Sequence, residues 1–138
     1  MNSGAQFVTR LRVRYVECDM QGRVFNGHYL TWVDIAHTEA LRELFGGYQA
    51  LTERGIDFVV VAAELQFRRP AHFDDELAIN VVIEPPGRTS LHSAYRIERG
   101  ADLIAEAALT HVCVNAESFD KQPWPDWIRK RLAAAGAG

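Results

Sequence analysis

The chain has 138 residues, of which 48% are hydrophobic and 24% charged, and its formal net charge is −3. Such values are typical of one globular domain, and they argue against a nucleic-acid partner because no basic block or stripe is present. Two cysteines, Cys18 and Cys113, are too few for a disulfide framework and favour a reducing, cytoplasmic location. Residues 1–6 lack the features of a signal peptide, and no apolar run approaches the roughly 18 residues of a membrane span. We therefore expect a cytoplasmic single domain with no membrane partner.

The first predicted element is a half-buried strand over Phe7–Val16 that ends at Glu17. Its residues alternate in character, with charged side chains on one face and the following on the other: Phe7, Thr9, Leu11, Val13 and Tyr15. A turn over residues 18–28 follows the strand. It contains glycines and polar residues and leads directly into the next element.

A long amphipathic helix is predicted from near Tyr29 to Phe45. Apolar residues recur at three- and four-residue spacing and form one broad stripe: Tyr29, Trp32, Val33, Ala36, Ala40, Leu41, Leu44 and Phe45. The pair Gly46-Gly47 supplies a carboxy-terminal stop, and residues 48–54 could add one or two helical turns. No helix of comparable strength follows, so a sheet has to cover the stripe.

Four strands are predicted after the helix: Phe58–Arg68, Glu76–Glu84, Thr89–Arg99 and Leu103–Asn115. The run Phe58–Ala63 is continuously apolar, which predicts burial on both faces in the first half of its strand. Short connections predict antiparallel pairing of consecutive strands. A short terminal helix over Trp127–Ala134 and a disordered tail over 135–138 complete the prediction. The result is an α+β fold, a curved five-stranded antiparallel sheet wrapped around one long helix.

The turn sequence carries a resemblance to a known family. It reads Arg14-Tyr15-Val16-Glu17-Cys18-Asp19-Met20-Gln21-Gly22-Arg23-Val24-Phe25-Asn26-Gly27-His28-Tyr29. With the order of elements, it resembles the hotdog fold, and within it the 4-hydroxybenzoyl-CoA thioesterase-like branch of acyl-CoA thioesterases. Weaker matches follow in the same order at residues 67–77, 87–90 and 111–125, so the resemblance covers roughly residues 7–128. We take this range as the ordered core of a single hotdog domain over 1–138, with residues 129–138 as its tail.

The resemblance implies hydrolysis of the thioester bond of an aromatic or fatty acyl-CoA to the free acid and CoA. It implies no cofactor, because CoA is part of the substrate. It also implies a homodimer or homotetramer with the site between subunits, which agrees with the free edges of the predicted sheet.

Asp19 is the predicted catalytic residue. A carboxylate can attack a thioester as a nucleophile or act as general base on water. The start of the helix near Asn26 offers unpaired N–H groups and the positive end of the helix dipole, which would polarise the carbonyl. On spacing alone Asp19 could instead be a turn residue and Asn26 a helix cap; the resemblance favours Asp19 as catalyst and the Asn26 amide as the oxyanion contact.

Further residues are predicted to contact the substrate: Gly22, Val24, Phe25, Asn26, Gly27, His28, Tyr29, Glu64, Arg69, Arg88, Thr89 and Ser90. Gly22 and Gly27 would permit positive φ or close backbone approach. Arg69 and Arg88 could bind CoA phosphates, and Glu64 either positions water or is a solvated strand residue.

Other chemistries are less well supported by the sequence. The histidines lack metal-ligand spacing, which predicts no metal site. Acidic neighbours should raise the pKa of Cys18 and so argue against a thiolate nucleophile. Two alternatives remain open: a non-catalytic acyl-ligand binding protein on the same fold, and a hotdog dehydratase or hydratase, which would need a paired histidine and acidic residue at the helix.

Overall fold

The computed structural model describes residues 4–137. Its elements, in chain order, are β1 (Ala5–Arg12), a 3₁₀ turn (Tyr15–Glu17), α1 (Gly27–Phe45), α2 (Tyr48–Thr52), β2 (Ile56–Phe67), β3 (Glu76–Ile83), β4 (Ser90–Arg99), β5 (Asp102–Asn115) and α3 (Asp126–Ala137). The strands form one sheet in the order β1-β3-β4-β5-β2, and every neighbouring pair is antiparallel. The predicted α+β class with a five-stranded antiparallel sheet is therefore confirmed.

Helix α1 packs against the sheet through the apolar stripe that its sequence predicts. Its buried residues are Tyr29, Trp32, Val33, Ala36, His37, Ala40, Leu41 and Leu44. The inward residues of β3 and β4 join them in one core: Leu77, Ile79, Val81, Ile83, Leu91, Tyr95 and Ile97. The helix ends at Phe45, and the next residue, Gly46, has φ 86° and donates its N–H to the Arg42 carbonyl at 3.0 Å. The predicted glycine stop is thus confirmed.

The first strand is shorter than predicted, because β1 ends at Arg12 rather than near Glu17. Val13 makes two further backbone hydrogen bonds, to the carbonyl of Asp75 and from the N–H of Asp74. The chain then turns through the 3₁₀ segment, so Tyr15 leaves the inner face and is 80% exposed. The sequence gives no sign of this end, because apolar and charged residues still alternate after Arg12 and no glycine or proline interrupts them.

Strand β2 differs from the prediction in both pairing and burial. It pairs with β5 and lies at an edge of the sheet, although β3 follows it in the sequence. The connection between β2 and β3 is not a hairpin, because the two strands do not pair. Its residue Ala71 is buried and bonded to Val24 and to the Tyr29 hydroxyl. As an edge strand, β2 leaves Val60 and Val61 more than half exposed, so the predicted burial of both faces is wrong for this chain alone.

The carboxy-terminal residues form a longer helix than predicted. Helix α3 runs over Asp126–Ala137 and buries Ile128 and Leu132, which lie one turn apart on the same face. Residues 135–137 are helical, so the predicted disorder of the tail is wrong for them, and position 138 lies outside the described residues. Alanines favour helix at these positions.

Candidate active site

An open cleft of about 360 Å³ lies where the loop after β1, the start of α1 and the end of β2 meet. Five predicted site residues line it: Asp19, Val24, Asn26, Tyr29 and Arg69. Five others that were not predicted also line it: Gln21, Arg23, Phe67, Arg68 and Pro70. The segment 67–70 has a family-like pattern in the sequence. That pattern alone does not indicate that the residues next to Arg69 line the same cleft.

Asp19 is exposed at the cleft, and the loop holds its carboxylate by one oxygen. The backbone N–H groups of Gln21 and Arg23 donate to Oδ1 at 2.8 and 3.3 Å. No hydrogen bond or ion pair to Oδ2 is found within residues 4–137. Backbone bonds from Asp19 N–H to the Arg23 carbonyl and from Gly22 N–H to the Asp19 carbonyl close the turn. Asp19 is therefore a turn residue, which is the alternative that its spacing in the sequence left open. Its second carboxylate oxygen is left to meet a ligand.

Helix α1 presents its amino-terminal end to the same cleft through Asn26. This residue has helical backbone angles and occupies the N-cap position, but its side chain forms no capping hydrogen bond. Among the described residues, the backbone N–H groups of Asn26 and Gly27 donate no hydrogen bond. Free N–H groups at a helix start carry partial positive charge and stabilise anions.

The remaining cleft walls are partly apolar and partly cationic. Val24 and Tyr29 are buried, and the Tyr29 ring meets the half-exposed Phe67 ring edge-on at 5.2 Å between centroids. Burial raises the pKa of Tyr29 against the opposing hydrogen bond from the Ala71 N–H. None of the ion pairs among residues 4–137 involves Arg23 or Arg69. Both guanidinium groups are therefore free to meet an anionic ligand.

Of the two loop glycines, Gly22 has the positive φ that the sequence suggested, whereas Gly27 begins α1 without one. Gly22 has φ 76°, a conformation that favours glycine. A Cβ on Gly27 would lie 3.1 Å from Cε2 of Phe25, so the ring approaches the helix start closely. Phe25 is exposed and contacts the half-buried His28 ring edge-on. Neither aromatic side chain lines the cleft, and their predicted contact with substrate stays a prediction.

Glu64 and the Arg88–Ser90 turn lie away from the cleft within one chain. Glu64 is exposed on the edge strand β2. The backbone of Arg69 bonds to Ile104 at one end of β5, whereas Thr89 bonds to Cys113 near the other end. Nine residues of strand separate these points by roughly 30 Å. One chain thus does not bring Arg69 and Arg88 together, and the predicted role of the turn would need a second subunit.

The other titratable groups that the sequence singled out lie elsewhere. Burial, followed by the charges of Glu17, Asp19 and Asp75, raises the pKa of the Cys18 thiol, in the predicted direction. No group of three or more His, Cys, Asp or Glu side chains that could hold a metal is found in residues 4–137. No helix over the same residues is long and apolar enough to cross a lipid bilayer.

Two histidines that looked scattered in the sequence meet in the core. His37 of α1 and His111 of β5 are both 2% exposed, and their rings stack at 4.1 Å between centroids. His37 Nδ1 bonds to the Tyr95 hydroxyl at 3.0 Å, whereas the buried His111 Nδ1 has no partner within residues 4–137. Burial lowers the pKa of His37 to about 3 and that of His111 to about 4. The sequence could not show this pair because its members are 74 residues apart.

The fold is that of a thioesterase-like protein. The chain belongs to the thioesterase-like superfamily, whose sequence pattern matches residues 13–132. It is 34% identical over 119 residues to the acyl-CoA thioester hydrolase YbgC of Escherichia coli O157:H7, covering 86% of this chain and 89% of that one. It is 30% identical over 126 residues to the long-chain acyl-CoA thioesterase FadM of E. coli K12, covering 90% and 95%.

A solved structure shows the same fold. The 1,4-dihydroxy-2-naphthoyl-CoA thioesterase Slr0204 from Synechocystis superposes with a TM-score of 0.83 at 25% identity, over 92% of this chain and 95% of that chain. The family predicted from the turn sequence is therefore confirmed.

Proposed function

We propose that this protein is an acyl-CoA thioesterase that hydrolyses an aromatic or fatty acyl-CoA to the free acid and CoA. One observation carries the proposal: the Asp19 carboxylate, with Oδ2 unpaired, lines the same cleft as Asn26 at the start of α1. The names of YbgC, FadM and Slr0204 support the reaction class. Because FadM is named for long-chain and Slr0204 for aromatic acyl groups, both acyl classes stay open.

Asp19 would act from its free oxygen. As general base, Oδ2 takes a proton from water while the water oxygen attacks the carbonyl carbon. As nucleophile, Oδ2 attacks the carbon itself and forms an anhydride that water then hydrolyses. In both routes the C–S bond breaks and CoA leaves as the thiolate, which takes up a proton. The free N–H groups of Asn26 and Gly27 would stabilise the negative charge that develops on the carbonyl oxygen.

The cleft walls suggest how the rest of the substrate binds. Val24, Tyr29 and Phe67 offer an apolar surface to the acyl group or the pantetheine arm. Arg69, together with Arg23, offers unpaired cations to a phosphate. No cofactor is needed for this hydrolysis.

We propose that the chain is a single hotdog domain, with α1 as its central helix, that assembles through the free edge of β2. Val60 and Val61 are 53% and 57% exposed there, and an uncovered apolar edge strand is a pairing site. A homodimer, or a tetramer built from two dimers, would cover this edge. It would also bring Glu64 and the Arg88–Ser90 turn of one subunit toward a cleft of the other.

The test of the activity is Asp19→Asn. Asparagine keeps an Oδ1 acceptor for the Gln21 and Arg23 amides but cannot act as a base and is a poor nucleophile. We expect kcat to fall about 10²–10⁴-fold with little change in KM. The measurement is thiol release from a panel of acyl-CoAs, followed with a chromogenic thiol reagent, with circular dichroism to verify folding.

Asp102→Asn is a matched control, because Asp102 is an exposed aspartate in the β4–β5 hairpin. It should leave kcat unchanged. A folded Asp19→Asn protein with wild-type kcat would refute the assignment of Asp19. Wild-type protein that binds acyl-CoA without releasing thiol would favour the binding-protein alternative, and release of an unsaturated or hydrated acyl-CoA would favour the dehydratase or hydratase.

A further inference from the structure

Glu17 is a buried carboxylate two residues before Asp19. The residue is only 3% exposed, yet both oxygens have partners. Oε1 accepts the backbone N–H of Arg14 at 2.7 Å. Oε2 accepts the indole N–H of Trp32 at 2.8 Å and the Arg14 guanidinium at 3.3 Å. Burial alone would raise the pKa of Glu17, but these hydrogen bonds outweigh it and hold the pKa below its ordinary value.

The contacts of Glu17 join three parts of the site. Arg14 precedes the 3₁₀ turn after β1, and Trp32 lies on α1 and is 1% exposed. The Glu17 carbonyl accepts the N–H of Phe25 at 3.0 Å, directly before the helix start. The loop that carries Asp19 is therefore tied to α1 through a side chain at its beginning and through the backbone at its end.

We propose that Glu17 is a positioning residue that holds the Asp19 carboxylate at a fixed distance from the amino-terminal end of α1. The inference rests on the proposed function, since it concerns where the base or nucleophile stands relative to the N–H groups that stabilise the oxyanion. Glu17 does not line the cleft and touches no reacting atom. A shift of about 1 Å in such a pair of groups can lower the rate about 10²-fold.

The physical reason for a carboxylate here is directional bonding. Burying a charge costs free energy that an apolar side chain would not require. A carboxylate that accepts from the Arg14 backbone on one oxygen and from the Trp32 indole on the other, however, fixes both the turn and the indole, and hydrogen bonds to charged groups are stronger than neutral ones. An apolar residue could fill the volume but could not orient the loop against Trp32.

The test is Glu17→Gln, which keeps the shape but places an NH₂ group opposite either the Arg14 N–H or the Trp32 indole N–H. Two measurements are made on the full-length protein at one concentration. Hydrogen exchange by mass spectrometry should show the segment of residues 18–26 exchanging faster at its hydrogen-bonded amides, by about ten-fold or more, the factor expected for losing one hydrogen bond to a charged group. Steady-state kinetics should show kcat lowered about 10–10²-fold with KM within about two-fold.

Glu98→Gln is the matched control. Glu98 is a partly buried carboxylate on β4 that accepts hydrogen bonds from Asn80 and Arg96, outside the cleft. It should leave both the exchange of residues 18–26 and kcat unchanged. If Glu17→Gln shows no cooperative unfolding transition, Glu17→Asp takes its place, because the shorter side chain keeps the charge but cannot reach both donors.

The outcomes separate the two proposals. Unchanged exchange over residues 18–26 in a folded Glu17 variant would overturn the positioning role, whatever the kinetics. Faster exchange with unchanged kcat would overturn it too, because the loop would then move without consequence for the rate. Retained kcat in Asp19→Asn would refute the assignment of Asp19 but not the thioesterase activity, and the exchange of the Glu17 variant would still show whether Glu17 holds the loop.

Discussion

Acidification from pH 7.5 to pH 5.0 should destabilise the folded protein through the His37–His111 pair. Both histidines have a folded-state pKa far below the ordinary value of 6.5, about 3 and about 4. The unfolded chain therefore binds a proton at each site before the folded chain does. The stabilisation that depends on these two neutral rings is complete above about pH 6.5, and it falls progressively as the pH decreases toward 4.

The size of the effect follows from the unfolded-state pKa alone, provided that both rings stay neutral in the folded protein at pH 5. A group with pKa 6.5 in the unfolded chain then costs about 2 kcal/mol at pH 5.0, and the pair about 4 kcal/mol. This is a large part of the 5–15 kcal/mol by which domains are typically stable. Glu17 and Asp75 contribute little in this window, because their lowered pKa values make their stabilisation disappear only below their ordinary values of 4.5 and 3.8.

The assay is urea unfolding at both pH values, at one protein concentration so that any association is held constant. His111→Leu should reduce the pH difference to about 2 kcal/mol. It should cost little at pH 7.5, because it removes a buried nitrogen that has no partner among residues 4–137. His92→Gln, at an exposed histidine on β4, should leave the difference at about 4 kcal/mol. A wild-type difference below about 1 kcal/mol would refute the reasoning.

Two further predictions concern the core and the edge of the sheet. Leu41→Ala should lower the free energy of unfolding by about 2–5 kcal/mol, because Leu41 is 4% exposed beneath the sheet; an unchanged urea midpoint at constant slope would contradict its place in the core. Wild-type protein should sediment as a dimer or larger species at micromolar concentration, and Val60→Lys should shift it toward monomer by placing a charge on the β2 edge. A wild-type monomer with full activity would contradict the proposed assembly.

Local signals in the sequence predicted most of the fold. The stripe of α1 gave its buried face, since helical periodicity depends only on neighbouring turns, and Gly46 marked its end. Strands β3 and β4 have clean alternation and were placed within one or two residues. The edge position of β2 could not be predicted in this way. Its apolar run is the same whether a neighbouring strand or a second subunit covers it.

The same distinction between local signals and contacts made by folding applies to the candidate site. Asp19 and Asn26, which both line the cleft, could be predicted together because they lie in one short turn with a recognisable pattern. Arg23 and Phe67 come together only through folding, as does the contact between Glu17 and Trp32, which are 15 residues apart. In the sequence Glu17 was the last residue of a supposed strand, and nothing there distinguishes a carboxylate that faces solvent from one that an indole and a backbone amide enclose.

The hydrogen bonds of the loop between Glu17 and Phe25 also restrict how many residues this loop can contain. Surface loops usually accept insertions and deletions, because their ends are the only fixed points. Here a backbone hydrogen bond joins the two ends, Glu17 and Phe25. A second backbone hydrogen bond joins an inner pair, Asp19 and Arg23. An added or missing residue would break one of these bonds or turn Asp19 away from the cleft. This exposed loop therefore has the fixed length that is otherwise characteristic of a buried hairpin.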